Sequence, residues 1–142
     1  MKPLKSFPLF VETIHVMVDK EMSDGASTVL VTEVPPGGGP PPHTHTMEDE
    51  IFTALEGEFE LLIEGKWVAA PVGVPMFGPR GGCHTFRNSG KTVGRLQVVA
   101  APGGLEDFLE QLSKLSPETQ MAEMMQLAAR YGITFNLPGG GA

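Results

Sequence analysis

The sequence predicts an all-β sandwich or barrel with two short helices at its C-terminal end. Three observations carry this prediction. Thirteen prolines and eighteen glycines in 142 residues interrupt the chain too often for long helices. Through the first hundred residues, short alternating apolar runs are separated by turn residues at intervals of eight to twelve positions. After Pro102-Gly103-Gly104 the apolar spacing changes to three and four, the period of an amphipathic helix.

The first strand is predicted over Val11 to Met22, with Ile14, Val16 and Val18 on one face. Ser23-Asp24-Gly25 makes a hairpin turn, and Ser27 to Val34 returns as the second strand. The segment from Pro35 to Pro42 cannot hold a helix or a central strand and reads as an ordered loop. Glu50 to Leu55 and Glu58 to Ile63 read as a hairpin around Glu56-Gly57. A turn at Glu64-Gly65-Lys66 leads into Trp67 to Ala70, and His84 to Arg87 and Gly94 to Ala100 complete the set. Leu105, Phe108, Leu109 and Leu112 form the apolar face of a first helix. For the second, Ser116 is the expected cap, Pro117 and Glu118 fill the first turn, Met121, Met124, Met125, Ala128 and Tyr131 form the buried stripe, and Gly132 is the stop. The two helices fit either packing on the barrel's outside or on a partner subunit, or a flexible cap over its mouth. The expected organisation is therefore a barrel over 1–102, a helical extension packed on it over 103–137, and a flexible tail over 138–142.

The bulk properties exclude several function classes. At 142 residues one domain can bury a core without staples. A net charge of −7 argues against nucleic acid, which requires a basic face. No apolar run approaches the roughly 18 residues that a membrane helix needs. Met1 to Ser6 is not followed by the apolar core and cleavage site of a signal peptide, and Cys83 as the only cysteine permits no internal disulfide. A cytoplasmic, reduced setting is the expectation.

Chemistry concentrates at two short blocks. His43-Thr44-His45 is followed by Glu50, and His84 comes after Pro79-Arg80-Gly81-Gly82. Two imidazoles two apart on an extended segment point the same way. With a carboxylate and a third imidazole from a neighbouring strand, four N/O donors converge on one cation, and that set suits Fe, Mn, Ni, Cu or Zn better than Ca or Mg. Spacing favours Glu50 over its neighbours, since Asp49 faces the other side of the strand. Glu48 shares Glu50's parity and reads as a solvated loop residue, with a partner of the ligands or an acid/base group as the alternative. His15 reads as a strand-face histidine. Phe52, Ala54 and Phe86 share parity with Glu50 and His84 and should project into the barrel, with Met76 or Phe77 joining them. These five residues form the candidate substrate pocket, for a largely apolar or aromatic small molecule. Cys83 should point away from the metal as a small buried hydrophobe, and Asn88 should tie down the turn after its strand. Arg80 and Arg95 are the candidates to meet an anionic substrate group.

The order of these residues resembles the cupin superfamily. Its first motif is Gly, five residues, His-x-His, three or four residues, Glu, six residues, Gly, and Gly37, His43, His45, Glu50 and Gly57 fill it. Its second is Gly, five residues, Pro-x-Gly, two residues, His, three residues, Asn, and Gly73, Pro79, Gly81, His84 and Asn88 fill it. The likeness extends over roughly Gly25 to Ala101. It implies a double-stranded β-helix (jelly-roll) barrel holding one divalent transition metal per chain on His43, His45, Glu50 and His84. It also implies a homodimer, in which Phe7 to Met17 is lent to the partner as an N-terminal strand. The quercetinase-like members imply a dioxygenase that activates a chelating enol or catechol toward O₂, with Glu50 doubling as general base. Other members imply isomerase, lyase or decarboxylase chemistry, or ligand binding without turnover, and fold analogy does not choose among them.

Overall fold

The computed structural model describes residues 1–136. Among these residues the chain forms β1 (Lys5–Leu9), β2 (Glu12–Val18), β3 (Thr28–Val34), β4 (His43–His45), β5 (Asp49–Glu56), β6 (Phe59–Ile63), β7 (Lys66–Ala70), β8 (Met76–Gly78), β9 (Cys83–Asn88), β10 (Gly94–Ala101), α1 (Leu105–Leu112), α2 (Met121–Arg130) and β11 (Ile133–Phe135). The strands make two antiparallel sheets, ordered β1-β2-β3-β10-β5-β8 and β11-β4-β9-β6-β7. Alternate residues of both sheets, among them Leu30, Phe52, Leu61, Phe86, Leu96 and Val98, meet in one buried cluster. This is a double-stranded β-helix, as the motif spacing implies. No helix among the described residues is long and apolar enough to cross a membrane.

Several elements depart from the sequence prediction. The first strand stops at Val18, and Asp19 to Gly25 is a run of turns in which Asp19 Oδ1 accepts the Met22 amide. The expected hairpin of Glu50–Leu55 with Glu58–Ile63 does not form. β5 pairs with β10 and β8, whereas β6 pairs with β7 and β9 in the other sheet. Gly57 makes the crossing, with φ 90° and a backbone so close to Gly94 that a Cβ would sit 2.9 Å from its Cα. Alternation reveals a strand's faces and not its partner. Within the chain β1 pairs β2 as a hairpin, from Lys5↔Val16 to Leu9↔Glu12. β4, β8 and β11 have three residues each, too few for any period to register.

The loop before β4 is fixed by backbone contacts. Gly37 N–H donates to Asn88 O, Asn88 N–H to Gly38 O, and Thr85 Oγ1 to Pro40 O. All four motif glycines, Gly37, Gly57, Gly73 and Gly81, take positive φ. Asn88, buried, donates through Nδ2 to Val34 O and Thr92 O and accepts the Gly90 amide, so it ties down the turn as expected.

α1 matches its predicted span, with Leu105, Phe108 and Leu112 buried. α2 begins later than predicted. Ser116 to Gln120 form turns, Ser116 Oγ donates to Glu118, and the helix starts at Met121 without a side-chain cap. Its buried face is Met124, Leu127 and Ala128, while Met121 is 40 % exposed. Gly132, φ 72°, ends it, and β11 then pairs with β4. The expected tail, 138–142, lies outside the described residues.

α1 does not sit on the barrel's outer face. Leu105, Phe108, Leu109 and Leu112 line the same cavity as His43, His45 and Glu50, so the helix closes the barrel. Glu106 holds it there. Its carboxylate is buried and accepts from Thr28 Oγ1 and from the Lys20 amide, 2.9 Å away, and Lys20 Nζ in turn pairs with Asp107. Glu106→Ala leaves the buried Thr28 hydroxyl and the half-buried Lys20 amide without their acceptor, and it should cost roughly 2–3 kcal/mol in urea unfolding. A loss below about 1 kcal/mol would mean that apolar contacts alone hold α1.

Candidate metal centre

The donor cluster spans both sheets. On β4 the strand alternation buries His43 and His45 and turns Thr44 outward. β4 lies between β11 and β9, and the register sets His43 directly opposite His84. Glu50 arrives from β5 in the other sheet and is 3 % exposed. One donor atom from each of these four residues falls within 4.8 Å of all the others. Glu50 Oε1 lies 2.7 Å from His84 Nε2 and 3.1 Å from His45 Nε2. The His43 ring stands edge-on to both other imidazoles, its centroid 5.0 Å from that of His45 and 4.8 Å from that of His84.

The far sides of the rings set the tautomers. His43 Nδ1 donates to Pro41 O at 2.8 Å, because a carbonyl can only accept, and this leaves Nε2 with a lone pair. His45 Nδ1 is 3.0 Å from Glu48 Oε1, which fixes its ring in the same sense. His84 Nδ1 is buried without a hydrogen-bond partner, and its ring is held edge-on by Phe52 at 5.3 Å between centroids.

Burial and neighbouring charges shift three of the four donors. Burial pushes His43 down to about 4, so it is neutral at physiological pH. Burial would also raise Glu50, but the His84 hydrogen bond and the three surrounding imidazoles outweigh it and hold the carboxyl below its ordinary range. For His45, burial is outweighed in the opposite direction by the Glu48 hydrogen bond and the charges of Glu50 and Glu48, and the imidazole rises. Three imidazole nitrogens and one carboxylate oxygen, converging in a desolvated niche, fit a divalent transition metal and not an all-oxygen calcium or magnesium site.

The structure places the other candidates as follows. Glu48 is no solvated loop residue, since its side chain is 12 % exposed and it orients His45. Asp49 turns outward and binds Arg80 through its backbone amide and guanidinium. Arg80 is thereby engaged at the surface, and neither it nor Arg95 lines the cavity. Cys83 is exposed rather than buried, and its Sγ accepts from Asn136 Nδ2. His15 lies on its strand face between Ser6 and Glu33. Phe52 and Phe86 line the cavity, whereas Ala54 is buried outside it and Met76 packs against the core. Phe77 is 56 % exposed and takes no part in the lining, because the odd residue of β8 faces away from the barrel.

Sequence reasoning missed part of the wall. Ile133 and Phe135 reach the cavity from β11, which was too short to detect. Glu12 and Thr32 also line it, both buried, with Thr32 Oγ1 donating to Glu12 Oε1 at 2.7 Å. The signal for Glu12 was available, since it shares parity with Ile14 and Val16 and so puts a carboxylate on an inward strand face. Burial lifts its pKa from 4.5 to about 7 against the smaller opposing effect of the Thr32 bond.

Glu48→Ala should weaken binding of zinc or nickel by about 10–100-fold in competition titrations, as loss of an orienting partner does elsewhere. Unchanged affinity would show that β4 alone orients His45. Glu12 favours the folded state when protonated. Its contribution is therefore complete below pH 4.5 and is lost as pH rises through about 7. In metal-free protein, wild type should lose up to about 3 kcal/mol more stability than Glu12→Gln over that window. Parallel pH profiles of the two proteins would show that the carboxyl is not desolvated.

The comparisons with known proteins agree with this geometry. A family model described as the cupin domain matches residues 30–100, which is half of the chain. Among curated proteins, none matches the sequence. A predicted oxalate decarboxylase from Thermotoga maritima is similar at 28 % identity and TM-score 0.60, over 64 % of this chain and 80 % of that one. KdgF from Halomonas sp. superposes with TM-score 0.65 at 14 % identity, over 72 % and 90 %. A sugar phosphate isomerase of the cupin superfamily from Silicibacter pomeroyi superposes with TM-score 0.57 at 18 % identity, over 66 % and 60 %. With ten motif positions filled, a double-stranded β-helix formed and the family model matched across the barrel, the chain belongs to the cupin superfamily.

Proposed function

We propose that this protein is a metal-dependent dioxygenase for a small enol-type or aromatic substrate with a chelating pair of oxygens. One observation carries the reading. The donor cluster opens onto a cavity whose wall is otherwise largely apolar and aromatic, with Phe52, Phe86, Phe108 and Phe135 around it and α1 across it. Such a wall excludes water and selects an apolar substrate body, leaving recognition of the polar end to the cluster. A bound redox-active metal supplies a Lewis acid and access to O₂. The chain's own residues do the rest. His43, His45 and His84 surround one carboxylate with three imidazoles. Glu50, ionised beside His84, is placed to take the proton of a chelating hydroxyl.

A second reading has its own support. The Thermotoga maritima structure is named as a predicted oxalate decarboxylase, so decarboxylase or isomerase chemistry on the same cluster is the competitor. Oxygen uptake separates the two. Protein loaded in turn with Fe(II), Ni(II), Mn(II) and Cu(II) should consume O₂ with a β-diketone or a catechol in at least one metal form. His84→Ala should lower that rate by at least about 100-fold. Product formation without O₂ uptake would overturn the dioxygenase reading in favour of the competitor. Thermal stabilisation by these compounds without turnover would leave a binding module.

A further inference from the structure

Two buried glutamates lie outside the metal cluster, and they differ in one respect. Glu106 uses both carboxylate oxygens, Oε1 toward Thr28 and Oε2 toward the Lys20 amide, and its role is to hold α1. Glu12 uses only one. Thr32 Oγ1 donates to Oε1, and among the described residues Oε2 has no hydrogen-bond partner. The residue is 7 % exposed and lines the cavity among Leu9, Ile14 and Leu30. A carboxyl buried against such neighbours costs stability unless it is paired, and a purely structural one would be paired at both oxygens. Burial raises it to about 7, so near neutrality it is available as donor or acceptor.

Its position rules out a role as a fifth donor of the cluster. Glu12 is on β2, and in the sheet order β2-β3-β10-β5 it lies three strands from Glu50. That is roughly 14 Å along the sheet at the usual strand spacing. The register also sets Thr32 level with Leu96 and Ala54, at the other end of β5 from Glu50. The polar side chains of the cavity wall thus fall into two groups, His43, His45 and Glu50 in one and Glu12 and Thr32 in the other.

We propose that Glu12, positioned by Thr32, is a substrate-binding residue that hydrogen-bonds a neutral hydroxyl at the end of the substrate remote from its metal-chelating group. The inference rests on the metal-dependent reading above and narrows its substrate class. The substrate has an apolar middle, a chelating oxygen pair at one end and a hydroxyl at the other. A distal carboxylate is excluded, because among the described residues no Lys or Arg lines the cavity to pair with it.

Hydroxamates of increasing chain length test this by calorimetric titration of zinc-loaded protein. Acetohydroxamate, too short to reach Glu12, reports on the metal cluster alone. From butano- to octanohydroxamate, each plain chain is compared with its ω-hydroxy and ω-carboxy analogues. At one length the ω-hydroxy compound should bind about tenfold tighter than the plain one, the worth of one hydrogen bond to a buried carboxyl, and the ω-carboxy compound should bind weakest. Glu12→Leu should abolish the hydroxyl preference, and Glu12→Gln, which still donates and accepts, should keep it. A hydroxyl preference absent at every length, or surviving in Glu12→Leu, would overturn the proposal while acetohydroxamate binding left the metal reading intact. Failure of acetohydroxamate itself to bind would overturn the metal reading and this proposal with it.

Discussion

Glu50 stands on one sheet and reaches two imidazoles of the other, and the arrangement of the barrel's interior depends on that contact. A carboxylate this buried is costly to ionise unless its neighbours supply compensating charge or hydrogen bonds. Here His84 and His45 supply them, and they can do so only if β4, β5 and β9 are fixed relative to one another. The fixing is visible at each strand. β4 is hydrogen-bonded on both sides, β9 is laced to the proline-rich loop through Gly37, Gly38 and Asn88, and β5 is paired by β10 and β8. The glycines and prolines that make the chain look loop-rich are thus spent on short connections that hold four donor atoms within 4.8 Å of one another.

The second constraint is the apolar wall beside the cluster. α1 lays Leu105, Phe108, Leu109 and Leu112 across the cavity, and its first turn is anchored by a glutamate with no solvent exposure to speak of. Because this anchor joins Glu106 to Thr28 and Lys20, the closing helix is tied to the same sheet that carries Glu50. Closure and the donor cluster are therefore parts of one framework. A largely apolar wall lowers the local dielectric and so strengthens the electrostatic interactions of the donor cluster.

Much of this was legible in the sequence, and the exceptions follow a physical pattern. The four donors were readable because side-chain alternation and fixed spacing act locally. The span of α1 was readable because a helical period needs only eight residues to show. What stayed hidden was long-range. The separation of β5 from β6 depends on which sheet each strand joins, and no local period records that. β11 adds Ile133 and Phe135 to the cavity with only three residues. Glu48 looked like a loop carboxylate because its partner is a side chain already engaged in the cluster. Phe77 looked inward because it adjoins the second motif, but its parity on β8 turns it to solvent. Glu12 carried a legible signal, a carboxylate at an inward strand position, whose meaning emerged only beside Thr32.

The central claim is that His43, His45, Glu50 and His84 together hold one cation. X-ray absorption at the metal edge of protein reconstituted with one equivalent of zinc tests it most directly. The account predicts a first shell of nitrogen and oxygen alone at about 2.0–2.1 Å, with the outer-shell scattering of three imidazoles, and loss of one imidazole in His84→Ala. A sulfur scatterer near 2.3 Å, which would bring in Cys83, or a shell without imidazole would contradict it.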